Sequence, residues 1–423
     1  CTPRRPRDGD DAANCDMSKG RSTDVKPGGY DIFIRNVHDT TAPELAEYFG
    51  SAGTIIREPR LNPSRGFAWI TFDTMEAVKQ ACSWSGSYFG SRILYVHAAN
   101  NVDNADAGGL KGRARDEGQD THYPALCEET IRKLVAPDAG GVYVDGTFGR
   151  GGHTRALLAL LGRDSLVIAV DRDPEAIAAG MALAAEDARL RMVHGNFADL
   201  DELLDALSIE SVQGVLMDLG VSSPQLDDAV RGFSFRHDAP LDMRMDTSRG
   251  PTAAQWLNTA EEADIARVLK TYGEERYARR IAAAIVAARP LATTGELAEL
   301  VRSAQPRPTP GKHPATRVFQ AVRMQVNDEL GSLTRGLSAA FDRLAPGGRL
   351  AVITFHSLED RLVKRFFREL ASPPPVPRGV PVRGDAAAPR ARMVGRSRVP
   401  GEAETAANPR ARSARLRVLE KAA

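Results

Sequence analysis

Three aspartates each close an apolar, β-branched run: Asp145 in GVYVD, Asp171 in LVIAVD and Asp218 in GVLMD. The first is followed at once by four glycines in seven positions, GTFGRGG, before a helical pattern begins. A glycine loop at a helix start ordinarily offers backbone N–H groups to a phosphate, and flanking carboxylates oppose that anion. Here acids surround the loop, so a cationic ligand with ribose hydroxyls suits it better. S-adenosylmethionine, a sulfonium on an adenosine without a pyrophosphate, has that chemistry. A nicotinamide dinucleotide is the alternative, since its sites also combine Gly-x-Gly with an acid about 20 residues on. Counting from Gly149 and Gly151, however, the third glycine position holds Thr154.

Two more residues belong near this crevice. Phe197, in HGNFADL, could pack on an adenine or simply fill the core, and His153 could donate a hydrogen bond at the helix start or merely cap it. No G-x-S-x-G, H-E-x-x-H or Walker pattern occurs, which leaves hydrolase, zincin and P-loop chemistries without support.

The elements that must position these residues alternate. Apolar runs GVYVD, LVIAVD, RMVHG, GVLMD and RLAVITF are separated by helical stretches, the pattern of an α/β doubly wound parallel sheet, Rossmann-like, over about 121–371. All three aspartates then fall at the carboxyl edge of the sheet, around one crevice. From about 227 to 344 the alternation stops and the text is helical, which predicts a helical insertion before the sheet resumes at Arg349. The last segment, 372–423, holds eleven Lys/Arg against four Asp/Glu and is rich in Pro, Arg and Ala to about 409. It reads as an extended basic tail for a polyanionic partner.

Upstream, residues 1–29 lack apolar periodicity and are expected to be disordered. Residues 30–98 run strand, helix, strand, strand, helix, strand, a small α+β (βαββαβ) domain, and 99–120 is polar and Gly-rich like a linker. Because alternate strand residues face opposite sides, Ile32, Ile34, Ala68, Ile70 and Phe72 point to the helices while Phe33, Phe67 and Trp69 share the open face. Those two strings resemble the paired signatures of the RNA-recognition motif (RRM), with Arg65 and Gly66 in their expected places. The resemblance implies binding of single-stranded RNA by stacking, at about 1–3 kcal/mol per base. A face covered by its own linker or by a protein partner is the other reading.

Composition sets the frame. A chain of 423 residues with 42% hydrophobic content can bury ordinary cores, and no apolar run reaches the roughly 18 residues of a membrane span. The four cysteines, Cys1, Cys15, Cys82 and Cys127, form no metal or disulfide pattern and point to a reducing compartment. Bacterial cytoplasm and the interior of a plastid or mitochondrion both fit; secretion does not.

From about 122 to 419 the strings DGTFGRGGHT, DRDP, DLGVSSPQLD, RGFSF, LDMRMD, KHPATRVFQAVR, VNDEL, FHSLEDRLVK and NPRARSARLR resemble the bacterial-type 16S ribosomal RNA (cytosine-N4)-methyltransferase family. The resemblance implies an S-adenosylmethionine-dependent enzyme acting on N4 of a decoding-centre cytidine in small-subunit ribosomal RNA or the assembled small subunit. It places donor contacts on Gly151, Gly152, His153, Asp171, Phe197, Asp218 and Gln225. The RNA-recognition domain is not part of that family's usual architecture, and ARPLATTGEL in the insertion is shorter than expected.

Cytosine's exocyclic amine is a poor nucleophile because its lone pair is delocalised, so the enzyme must align it and supply hydrogen-bond acceptors. The loop DLGVSSPQLD stands where such acceptors belong. Ser222 is the first candidate, Asp218 would position donor and loop, and His356 in TFHSLEDR would touch the base or take the released proton. A turn-shaping role for the Ser-Ser-Pro run stays open. No metal is implied, because the leaving group starts as a cation. The target base must leave its stack, and Lys312, His313, Arg317 and Arg323 are candidate phosphate contacts. A ribosome-assembly factor without turnover, and an enzyme retargeted to another RNA by the RNA-recognition domain, are the rival readings.

Overall fold

The computed structural model describes residues 30–35, 37, 40–62, 67–84, 88–89, 92–99, 124–135, 140–307, 313–373 and 388–422. The expected disorder of 1–29, nearly all of the expected linker, and the roles expected of Arg65, Gly66 and Lys312 lie outside the described residues. The chain divides into two compact units, Cys1–Gly112 and Arg113–Ala423.

The first unit contains β1 (Tyr30–Arg35), β2 (Ile55–Asn62), β3 (Phe67–Phe72), a short hairpin of β4 (Tyr88–Phe89) and β5 (Arg92–Ile93), and β6 (Tyr95–Ala99). Its antiparallel sheet has the order β2-β3-β1-β6. Ile32, Ile34, Ala68, Ile70 and Phe72 are fully buried and share a core with Leu45 and Phe49 of the helix Ala42–Gly50 and Val78 of the helix Met75–Ser83. Phe33 pairs with Trp69 across β1 and β3. With Phe67 they form a partly exposed triad, ring centroids 5.3 Å apart for Phe33–Trp69 and 4.9 Å for Phe67–Trp69. The Arg60 guanidinium lies 5.8 Å from the Trp69 ring.

The second unit is built on β7 (Val142–Asp145), β8 (Leu166–Asp171), β9 (Leu190–His194), β10 (Val212–Asp218), β11 (Leu344–Thr354), β12 (Ala391–Met393) and β13 (Arg415–Lys421), in the order β12-β13-β11-β10-β7-β8-β9. The strands β7 to β11 are parallel and β12 and β13 add antiparallel. Val167, Ile168, Ala169 and Val170 are all fully buried, which explains why β8 reads as a continuous apolar run instead of an alternating one. Strand order reverses between β7 and β10, so a crevice opens at their carboxyl ends.

Helices fill the stretch from Ala253–Thr259 to Glu329–Arg343. They do not form one body. Helices through Thr316–Val326 pack into their own core with Leu257, Ile281 and Val318, whereas Leu333, Leu337 and Phe341 of the last helix join the core of the sheet. The C-terminal segment also differs from expectation. Instead of remaining extended, 388–422 supplies β12, the helix Glu402–Ala407 and β13, because Leu416, Val418 and Leu419 bury against the sheet. Several of its cations are paired internally: Arg417 with Asp360 (2.8 Å), Arg392 with Glu420 (2.7 Å) and Arg410 with Asp227 (3.0 Å). Among the described residues no helix is long and apolar enough to cross a membrane.

Candidate active site

The glycine loop is fastened to the sheet by its backbone: Gly146 N–H donates to the Leu216 carbonyl at 2.8 Å and Phe148 N–H to that of Val170 at 3.0 Å. Gly151, at φ +77°, caps the helix Gly152–Leu160, and a Cβ there would sit 2.7 Å from the Phe148 ring. Only glycine tolerates both the left-handed backbone and that contact. Gly149, at φ +56°, faces open space and donates its N–H to Asp171 Oδ2 at 2.7 Å.

The three aspartates behave differently. Asp145 is turned inward: Thr154 Oγ1 donates to its Oδ2 at 2.7 Å and Thr147 N–H to its Oδ1 at 3.1 Å, and it does not line the cavity. Burial raises its carboxyl to about 6, against the pull of those two donors. Asp171 lines the cavity and is raised by burial although the Asp173 and Gly149 N–H groups oppose the shift. Asp218 also lines it, and burial raises its carboxyl well above the usual range, with Asp145 and Glu359 adding to the effect. Its Oδ1 is buried with no hydrogen-bond partner among the described residues, while Oδ2 lies 3.6 Å from His153 Nδ1. His153, itself 4% exposed, is driven down to about 4 by burial, partly offset by the Ala125 backbone.

Around these lies a cavity of about 560 Å³. Phe197 lines it, held by the Gly336 backbone, where a Cβ would come within 2.4 Å of the ring. Gln225 is buried and fully engaged: its Oε1 accepts from Ser222 N–H at 3.0 Å and its Nε2 donates to Asp173 Oδ2 at 2.7 Å. Ser222 caps the helix Ser223–Asp227 through a capping box with Gln225. His356 caps the helix Ser357–Leu370, its Nδ1 accepting from Glu359 N–H at 3.3 Å and its Nε2 3.0 Å from Glu359 Oε1.

Of the residues singled out from sequence, Gly152, His153, Asp171, Phe197, Asp218, Ser222, Gln225 and His356 line this one cavity. Gly151 and Asp145 stand behind its wall. Arg323, expected to meet phosphate, also lines the cavity and there holds Glu329 by two hydrogen bonds of 2.7 and 2.8 Å, because a lone guanidinium at that depth needs a carboxylate. Glu329, His356 and Glu359 offer ligand atoms close enough for a metal ion. Both carboxylates are already engaged, Glu329 by Arg323 and Glu359 by the Phe355 and His356 N–H groups.

Sequence reading missed Thr147, whose hydroxyl accepts from Asp218 N–H at 2.7 Å, and Arg231, which bridges Asp173 at 3.0 Å and the Met245 carbonyl. It also missed Arg410 in the cavity wall. The spacing of His356 and Glu359 was a readable signal, since a capping residue with Glu three positions on marks a helix start.

S-adenosylmethionine fits this chemistry. The wall offers desolvated acids and an uncompensated carboxylate oxygen to a cation, an open glycine edge, and the aromatic ring of Phe197. A switch-point crevice walled in this way defines a Rossmann-like methyltransferase. Residues 119–422 match the MraW methylase family. The chain is 57% identical to the ribosomal RNA small subunit methyltransferase H of Azoarcus sp. (strain BH72), over 71% of this chain and 96% of that protein. It is 54% identical to the protein of the same description from Ralstonia pickettii (strain 12J), over 71% of this chain and 97% of that one. The chain belongs to the MraW methylase family, and its methyl donor is S-adenosylmethionine.

Proposed function

We propose that the second unit methylates the N4 amine of a cytidine in small-subunit ribosomal RNA, the target base entering the cavity beside the Asp218–Ser222 loop. The observation that carries the reading is that loop's position: Asp218 and Ser222 line the same cavity as Phe197 and Asp171, so the amine and the donor site meet at one place. When bound, the donor supplies a methyl group on a sulfonium that departs as a neutral thioether.

The chain's own residues do the rest. Ser222, fixed by its capping role, keeps a hydroxyl lone pair for the amine and draws its nitrogen toward the pyramidal, nucleophilic form. Asp218 in its ionised form, made more basic by burial, accepts the proton the amine sheds. With Nδ1 occupied by the Glu359 N–H and Nε2 3.0 Å from Glu359 Oε1, His356 is held against Glu359 and shapes the cavity wall instead of taking the proton.

The first unit is an RNA-recognition motif in this reading, with Phe33, Phe67 and Trp69 as the stacking platform for single-stranded RNA. Support comes from three rings gathered on the face opposite the helices, with Arg60 beside them. The bacterial sources of the relatives favour the bacterial cytoplasm over an organelle.

The test is transfer of an isotopically labelled methyl group to purified small-subunit ribosomal RNA and particles, followed by nucleoside analysis, with the full chain and with a chain lacking residues 30–98. Label on N4 of one cytidine in both cases supports the reading. A different target in the shorter chain would make the first unit the director of specificity, and no label in any RNA would leave an assembly factor.

A further inference from the structure

Beside the main cavity the helical insertion forms a second, smaller cleft of about 90 Å³. Its walls carry Arg276, Arg307, Arg317 and His313, and its base is the buried pair Glu275 and Gln305. No acidic side chain forms an ion pair with any of the three arginines among the described residues. Arg276 lies over the Tyr277 ring at 5.5 Å, and Arg317 Nη1 reaches only the Glu274 carbonyl at 3.4 Å. The carboxylate of Glu275 is used as a brace: it accepts from Tyr277 N–H at 2.9 Å and from Gln305 Nε2 at 3.3 Å, and Gln305 also donates to the Pro314 carbonyl. The helix Thr316–Val326 begins at the cleft, adding the positive end of its dipole.

The cleft adjoins the main cavity. Thr316 lines both, and the partition is completed by His313, stacked on Phe235 at 4.3 Å with 22° between the rings, Phe235 being part of the main cavity wall. A nucleotide that delivers its base to the main cavity must carry its backbone over this rim, and the unpaired guanidiniums stand where a neighbouring phosphate would pass. Arginine forks match phosphate oxygens in geometry as well as charge.

We infer that this cleft is a subsite for an RNA backbone phosphate flanking the flipped nucleotide. The inference rests on the proposed entry of a base into the main cavity. The cleft holds one phosphate and fixes strand register; it does not read sequence.

The test compares the full chain with the triple variant Arg276→Ala, Arg307→Ala, Arg317→Ala on purified, unmodified small-subunit ribosomal RNA, with small subunits in parallel. RNA affinity is read against salt, together with KM, kcat and donor affinity. The triple variant is expected to bind RNA at least about tenfold more weakly, with the slope of log K against log salt shallower by about 1 and donor affinity unchanged. The corresponding triple Lys variant keeps the charge and most of the slope but loses the forked geometry, so its KM should rise several-fold, and a wild-type KM in it decides against the inference should the Ala variant fail to fold. Wild-type slope and KM in the Ala variant would overturn the inference, as would a loss confined to assembled subunits, which would place an acidic protein segment in the cleft. If the unaltered chain methylates no RNA, it is the reading of the main cavity that fails; methylation with indifferent variants removes the cleft alone.

Discussion

His153 Nδ1 stands 3.6 Å from Asp218 Oδ2, yet the contact neutralises nothing. Burial drives the imidazole down to about 4, so at neutral pH it carries no charge, and the same burial raises Asp218. Asp171 and Asp145 are raised in the same way, the latter to about 6. The crevice therefore concentrates buried carboxyls, and one of them, Asp218, keeps an oxygen with no hydrogen-bond partner among the described residues, a wall completed electrostatically by a cation.

Asp145 should make the unliganded chain less stable as pH rises. Its folded value of about 6 lies above the ordinary aspartate value of 3.8, so the folded state holds this proton more tightly, and the stability it contributes is lost as pH rises through about 6. The ceiling is about 3 kcal/mol, from about 1.4 kcal/mol per unit. Asp145→Asn should flatten the fall in melting temperature between pH about 4 and about 6. An unchanged pH profile in the variant would remove Asp145 as its source.

Gly336→Ala should push Phe197 out of the cavity wall, because the added Cβ would lie 2.4 Å from its ring and 3.1 Å from its carbonyl. Overpacking of this kind costs about 1–3 kcal/mol. Unfolding titrations should register that loss, and donor binding should weaken with it. Wild-type donor affinity would mean the ring is not part of the adenine wall.

Ser222→Ala separates capping from chemistry. Loss of an N-cap serine costs about 0.5–2 kcal/mol of stability. If the hydroxyl also receives the target amine, the single-turnover methylation rate should fall at least about tenfold with donor affinity unchanged. Gln225→Ala, which frees Ser222 N–H and Asp173 together, should lower both stability and rate. A full-speed Ser222→Ala enzyme would confine the serine to its turn.

Truncation after residue 387 should abolish cooperative unfolding of the second unit, not merely weaken RNA binding. Leu416, Val418 and Leu419 are buried, each worth about 1.5–3 kcal/mol. Calorimetry of the shortened chain showing a native-like transition would restore the view of this segment as a dispensable tail.

The sheet and its acids were legible because they are local. An apolar run ending in Asp before a glycine turn specifies strand, edge and loop within a dozen residues. What escaped depends on contacts distant in sequence. Arg323 reads as a surface cation on a helix, and only the turn at Asp328, with φ +46°, brings Glu329 back against it. Asp145 was expected in the crevice wall, but Thr154, one helical turn into the following element, draws it inward. The basic C-terminal segment was misread from composition, although its alternation in RLRVL carried the answer. Residues two apart in a strand share a face, which sets Arg415 and Arg417 together over Asp360.

The central claim is that ionised acids hold a sulfonium, and parallel calorimetric titrations with S-adenosylmethionine and its neutral demethylated product, S-adenosylhomocysteine, from pH about 5 to about 8 test it most directly. Because a cation favours the ionised forms of Asp171 and Asp218, both raised by burial, affinity for the sulfonium should rise with pH across this range while that for the neutral thioether stays nearly level. Identical pH profiles for the two ligands would contradict the account.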